Sequence, residues 1–230
     1  MNKTNMNKAN KSFPAKRKNV KITREIRDII HGYVMSDGYL REGQLTVEQN
    51  SESSAFVEWL YSKLEHLTTR NGIKDVQRFD KRTNTTTYSK RFFTRRLLKG
   101  FNKMWYKASG IHKKTGKPKY VKTVPKSLGC FFSKTFITVW YAGDGTKIIG
   151  SRGAKIEATC FNEEQKLLIK ELFKSKYDIN IHINKAGLSK TGTQQWTFNI
   201  NSEDYDKFHN IITEIDLRPR PKLFPNKLCY

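Results

Sequence analysis

Two aspartates occupy places that a helix end should reject. "GYVMSDGYL" (Gly32–Leu40) and "VWYAGDGTK" (Val139–Lys147) are both apolar runs of helical character that end in Asp-Gly. A helix C-terminus carries partial negative charge, so Asp37 and Asp144 each stand where a carboxylate is disfavoured. Small residues precede both: Gly32 and Ser36 in the first run, Thr138, Ala142 and Gly143 in the second. Helices with small residues at their contact can pack closely, which would bring the two carboxylates together beside two helix ends. Such a spot calls for a cation. Mg²⁺ suits it, because it is commonly held by one or two carboxylates and by substrate phosphate oxygens. Two such metals about 3.5–4 Å apart can activate water and stabilise the leaving oxygen of a phosphodiester.

The elements that must position these aspartates come in two similar series. The first opens with "TREIRDIIHGYVMSDG", a helix capped by Thr23 with Ile26, Ile29, Ile30 and Tyr33 at helical spacing and Gly38 as its stop. "QLTVEQN" alternates, with Leu45, Val47 and Gln49 on one face. "SESSAFVEWLYSKLEHL" is an amphipathic helix on Phe56, Leu60 and Leu64. "KDVQRFDKR" and "TTTYSKRFFT" form a hairpin across Thr83-Asn84, and "RRLLKGFNKMWY" a closing helix. The second series repeats the order. It has the helix "KTFITVWYAGDG", the strand "AKIEATC" with Ile156, Ala158 and Cys160 on one face, a helix capped by Asn162, the strands "INIHIN" and "QQWTFNI", and the helix "SEDYDKFHNIITEI". On the last strand Trp196, Phe198 and Ile200 point inward, Thr197 and Asn199 outward. The fold class is therefore α+β, and a duplicated unit suggests two pseudo-symmetric lobes about one centre.

Composition narrows the partners. Of 230 residues, 44 are Lys or Arg and 21 are acidic, a formal charge of +23, while 37% are hydrophobic and 12% aromatic. The chain can build a core, and its charge asks for a polyanion, nucleic acid first. Neither an 18-residue apolar run nor a basic amphipathic helix speaks for a membrane. Cys130, Cys160 and Cys229 are odd in number and lie far apart. They suit an intracellular, reducing setting without structural zinc. Residues 1–20 contain no acid and no apolar signal core, and read as a flexible basic arm. Residues 109–132, punctuated by Gly and Pro, read as a basic linker between a first lobe (21–108) and a second (133–230). Outward strand positions rich in Thr, Asn, Gln, Lys and Arg could enter a major groove, where each base pair shows a distinct donor and acceptor pattern.

"IHGYVMSDG" (Ile30–Gly38) and "ITVWYAGDG" (Ile137–Gly145) resemble the paired motifs of single-chain LAGLIDADG homing endonucleases, and element order and charge agree over roughly 23–228. The resemblance implies a monomer of two lobes, each a saddle-like antiparallel sheet backed by helices, meeting at a two-helix interface. It implies an intron-encoded, metal-dependent enzyme that cuts both strands of a double-stranded DNA target. Mg²⁺ would serve, Mn²⁺ could replace it, and Ca²⁺ would support binding without cleavage. Metal ligands would be Asp37 and Asp144, with carbonyls near Ser36 and Gly143. Gln49, Lys122 in "KTVP" and Lys222 in "KLFP" would join Asp37 and Asp144 as catalytic residues. The sequence departs from the motif at Val139, where Gly is usual, at Met35 and Ala142, where an acid is usual, and at Cys160 or Thr159, the counterpart of Gln49. An intron maturase, binding RNA on the same scaffold, is the alternative. A transcription regulator or ribosomal scaffold has less use for the two aspartates. Frequent Lys, Asn and Ile hint at an organelle (mitochondrion or chloroplast) or at a phage or bacterial cytoplasm.

Overall fold

Helix α1 (Arg24–Met35) begins where the Thr23 hydroxyl accepts the Ile26 N–H, and Glu25 in its first turn complements the helix dipole. All but its first turn and Arg27 is buried, as expected of a helix with neighbours on every side. The computed structural model that shows this describes residues 20–214; all of the basic arm except Val20 lies outside the described residues, as does Lys222.

The chain then forms β1 (Tyr39–Arg41) and β2 (Gln44–Asn50), joined by a turn with Glu42 and Gly43 both at positive φ. That is the two-residue hairpin geometry which follows the twist of the strands. After α2 (Ser54–Leu64), β3 (Lys74–Asp80) and β4 (Thr85–Phe93) pair across a turn containing Asn84 at φ 51°. The sheet order is β1-β2-β4-β3, antiparallel throughout. Leu45, Val47 and Phe92 face the core, as the alternation predicts. The closing helix is shorter than expected. α3 spans Lys99–Trp105, because Arg95–Leu98 is drawn into turns and the Leu98 N–H is taken by the Gly43 carbonyl.

The expected linker is not irregular. β5 (Tyr106–Ile111) and β6 (Pro118–Lys122) form a separate two-stranded ribbon. The second series follows: α4 (Lys134–Asp144), β7 (Gly145–Lys147), β8 (Ala154–Glu157), α5 (Glu163–Tyr177), β9 (Ile181–Leu188), β10 (Gln194–Ile200) and α6 (Ser202–Glu214). Its sheet repeats the first in order, β7-β8-β10-β9. Asn162 and Gln165 build a reciprocal capping box on α5. β8 stops at Glu157, so Cys160 falls beyond the strand expected to carry it. Each half thus reads helix, two strands, helix, two strands, helix. The short β1 and β7 are additions to the order read from sequence.

α1 and α4 form the centre and run parallel. Near their starts the Ser133 hydroxyl donates to Asp28 Oδ2 at 2.8 Å. Midway, a Cβ on Gly32 would lie 2.6 Å from the Phe136 carbonyl oxygen and 3.0 Å from Val139 Cβ. One glycine of the pair suffices for close approach, so Val139 is accommodated. At their ends Gly143 rests on Ser36. Around this pair His31, Trp105, Phe131, Phe132, Phe136 and Trp140 join both halves into one core. His31 is a packing residue: stacked on Phe131, it accepts the Trp105 indole N–H at Nδ1, 2.8 Å away. Burial, then the Arg27 charge, lowers its pKa to about 3, which keeps it neutral.

Candidate active site

Asp37 follows the last turn of α1, and Asp144 is the last residue of α4. Parallel packing puts both at the same end of the helix pair. A Cβ on Gly143 would stand 2.5 Å from Ser36 Cβ and Oγ and 3.1 Å from Asp37 Oδ2. The Asp37 carboxylate therefore lies against the residue that precedes Asp144.

The two carboxylates have different neighbours. In the first half the Gln49 amide reaches from β2 and donates to Asp37 Oδ2 at 2.8 Å. The Tyr33 hydroxyl helps to place it. That hydroxyl accepts the Glu48 N–H and donates to the Glu48 carbonyl, both at 3.1 Å, and stands 3.5 Å from Gln49 Nε2. In the second half the Trp140 indole N–H donates to Asp144 Oδ2 at 3.3 Å. Tyr33 and Trp140 each stand four residues before their aspartate, one helical turn back. That spacing was available in the sequence, where Tyr33 was read only as part of an apolar stripe and Trp140 was not singled out.

Lys122, at the end of β6, donates to the Ser36 carbonyl at 2.7 Å and to the Val34 carbonyl at 2.9 Å. An ammonium here offsets the partial charge of the α1 C-terminus. Protein packed around that ammonium lowers its pKa, and the charges of Asp144 and Asp37 oppose the shift. Lys122 thus stands within electrostatic reach of both aspartates. Of the two counterparts considered for Gln49, Thr159 turns away, since its hydroxyl accepts the Trp196 N–H at 2.8 Å. Cys160 is the one near the centre. As a whole residue it is exposed, yet protein around the thiol, and then the Asp144 charge, push the thiol up to about 11. It is a neutral thiol at physiological pH by either measure.

Among the described residues, no group of three or more His, Cys, Asp or Glu side chains gathers to hold a metal. An ion here would draw on two carboxylates, on carbonyls such as that of Ser36, and on oxygens from outside the protein. This all-oxygen donor set suits Mg²⁺. The Ser36 carbonyl already accepts a cation in the form of Lys122, so the spot has the required polarity.

Both sheets present a polar face away from the helices. On the first, Glu48 pairs with the Arg78 guanidinium, accepts the Ser89 hydroxyl at 2.6 Å and lies 3.7 Å from Arg91. Arg78, most of all, and then Ser89 and Arg91 hold the Glu48 carboxyl below its usual pKa. On the second, Lys155 lies opposite Asn199 and Glu157 opposite Thr197. Thr197 and Asn199 face outward as expected and are bonded to each other at 2.8 Å. No helix among the described residues is long and apolar enough to cross a membrane.

Residues 27–208 match the LAGLIDADG DNA endonuclease family. The chain belongs to this family. It is 27% identical over 182 residues to the cytochrome b mRNA maturase bI2 of Saccharomyces cerevisiae, a match that takes in 72% of the chain and 40% of the maturase. The chain therefore spans well under half the length of that relative. It is also similar to the structure of the homing endonuclease I-WcaI bound to its DNA recognition sequence. The TM-score is 0.70, the identity 15%, and the match covers 92% of this chain and 89% of the other. At that identity the likeness is one of fold, and it fits an α+β LAGLIDADG architecture of two helix-backed antiparallel sheets.

Proposed function

We propose that the protein is a site-specific endonuclease that hydrolyses both strands of a DNA target, using divalent metal at the Asp37–Asp144 end of the helix pair. The observation that carries this reading is the contact of Gly143 with Ser36 and Asp37, which joins two carboxylates and two helix C-termini at one point. Asp37 and Asp144 hold the metal, with the Ser36 carbonyl, and Gly143 offers its carbonyl in the second half. The metal, when bound, supplies a polarised water and charge compensation for the leaving oxygen. Gln49 orients the Asp37 carboxylate through its amide. Lys122 places a positive charge where charge builds on the phosphate. Lys222 is proposed to serve likewise in the second half. The two halves, 21–108 and 133–230, each receive one half of the DNA site on the outer sheet face, so a monomer suffices. Mg²⁺ is the proposed metal. Incubation with a randomised duplex library and Mg²⁺, followed by sequencing of cut ends, should recover one recurrent site. Recovery of no recurrent ends would reject the reading.

A second reading is an intron maturase, favoured by the likeness to the cytochrome b mRNA maturase. It predicts tight binding of the RNA of a host intron that survives replacement of both aspartates. It would also fit a setting in an organelle.

A further inference from the structure

The β5–β6 ribbon has no place in the chemistry above, yet it grows from the same point. Its two strands pair with each other and, among the described residues, with no other strand. Every residue from 107 to 121 is exposed. A lone hairpin is marginal in water and leaves both edges unpaired. From Tyr106 to Lys122 it carries six lysines and no acid. Among the described residues no ion pair reaches Lys107, Lys113, Lys114, Lys117 or Lys119.

Its base is fixed at the candidate site. Tyr106 and Lys122 are cross-strand partners. The Tyr106 hydroxyl accepts the Leu40 N–H at 3.2 Å, and the Lys122 ammonium sits on the Ser36 and Val34 carbonyls. The pair Ala108 and Tyr120 lies on the same face, two residues further out. Tyr120 is 59% exposed, and Ile111 near the tip 70%. The tip is a shaped turn, closed by His112 N–H to the Lys117 carbonyl at 2.8 Å and Gly116 N–H to the His112 carbonyl at 2.9 Å. It presents Lys113, Lys114 and Lys117.

We propose that this ribbon is a third nucleic-acid-binding element, beside the two sheet faces, and that it lies along the phosphates flanking the bonds to be cut. The inference rests on the endonuclease reading. Charge selects a polyanion, because a ribbon of this charge has no compensating acid on itself. The tether places the ribbon beside whatever polyanion occupies the centre, and on the endonuclease reading that polyanion is duplex DNA. The ribbon needs a partner to hold it, and the DNA supplies one.

The test is the triple variant Lys113→Ala, Lys114→Ala, Lys117→Ala, with Lys170→Ala on the exposed side of α5 as the control. The tip side chains are exposed, so far-UV circular dichroism and melting should match the parent. Affinity for the target duplex recovered from the library is measured in Ca²⁺ across salt concentrations. The slope of log K against log salt should become shallower by about 3, roughly 0.9 for each lost phosphate contact. The hydroxyl-radical footprint should lose protection beside the cleaved bonds and keep it on the outer half-sites, and the cut position should not move. A parent with a steep slope and a variant with the same slope and footprint would overturn the ribbon proposal alone. A parent that neither binds nor cuts duplex DNA would overturn the endonuclease reading and this inference with it. A variant that keeps DNA binding but loses binding to a structured intron RNA would overturn the assignment to DNA.

Discussion

The contact between Gly143 and Ser36 can be perturbed by a single methyl group. In Gly143→Ala the new carbon would meet Ser36 Cβ and Oγ at 2.5 Å and Asp37 Oδ2 at 3.1 Å. Ordinary carbon contacts lie near 3.5–4.0 Å, so the helix ends must separate by on the order of 1 Å. Overpacking of this kind costs about 1–3 kcal/mol of stability. A displacement of about 1 Å between groups that act together can cost on the order of 10²-fold in rate. Cleavage should thus fall by about two orders of magnitude, with a lowered melting temperature. Ser36→Gly removes both atoms of the clash. Alone it forfeits the hydroxyl bonds to the Tyr33 and Gly32 carbonyls and adds chain entropy, about 0.5–1 kcal/mol. In the double variant Ser36→Gly, Gly143→Ala the methyl group has room, so the pair should be less damaged than the sum of the singles. The assay is cleavage of the target plasmid in Mg²⁺ together with thermal melting of all four proteins. Parent-like cutting by Gly143→Ala would show that the helix ends are not in tight contact. A double variant no better than Gly143→Ala would show that Ser36 is not the obstacle.

Asp37→Asn and Asp144→Asn should each abolish double-strand cleavage and keep DNA binding. In EDTA each should melt at or above the parent temperature, since a helix-terminal carboxylate costs about 0.3–1 kcal/mol; melting well below the parent would identify a structural role instead. Since Gln49 serves Asp37 and Trp140 serves Asp144, the two strands should be cut at unequal rates. A supercoiled target should then pass through a nicked form, and a time course with linear product and no nicked species would count against it. His31 is held neutral, with its pKa lowered from 6.5 to about 3, so only the unfolded chain takes up its proton as pH falls through 6.5. Its contribution is complete above pH 6.5 and is lost progressively toward pH 3, reaching about 2 kcal/mol by pH 5. Melting at pH 7 and pH 5 should differ less in His31→Asn than in the parent, and an equal difference would refute the assignment.

The elements that carry the aspartates were legible from an apolar run and an Asp-Gly stop, with Thr23 as a cap on α1; the cap of α4, the Ser133 hydroxyl that accepts the Phe136 N–H, was not read from the sequence. Gln49 came from the resemblance, while alternation only put it on the face of Leu45 and Val47; its amide donates to Asp37. Lys122, which the resemblance puts near the scissile phosphate, donates to the carbonyls at the end of α1. What escaped has physical reasons. β1 and β7 are three residues long, too short to show a period. The β5–β6 ribbon hides its alternation twice, by a register shift between Ala108 and Gly110 and by having no buried face past its base. Cys160 was given to a strand that ends three residues earlier, since Thr159 spends its hydroxyl on the Trp196 N–H. Trp140 was not singled out within its apolar run; it is fully buried, yet its indole N–H faces Asp144.

The paired aspartates then have an account in terms of what surrounds them. Two carboxylates and two helix ends concentrate negative charge, and Lys122 brings an ammonium to that point. The neutral donors Gln49 and Trp140 fix orientation without cancelling charge. On the proposed reading a divalent cation at this point would compensate both carboxylates. The donors also differ in where they lead. Asp37 is tied through Gln49 to β2, where the preceding residue, Glu48, organises Arg78, Ser89 and Arg91 on the outer face of the sheet. Asp144 is tied through Trp140 to its own helix. Contact of DNA with the first sheet would therefore be felt one residue away from a group that orients Asp37. On the endonuclease reading, a carboxylate held by a strand amide and one held by an indole N–H of its own helix would respond differently to bound DNA, and unequal strand cleavage is the expected outcome.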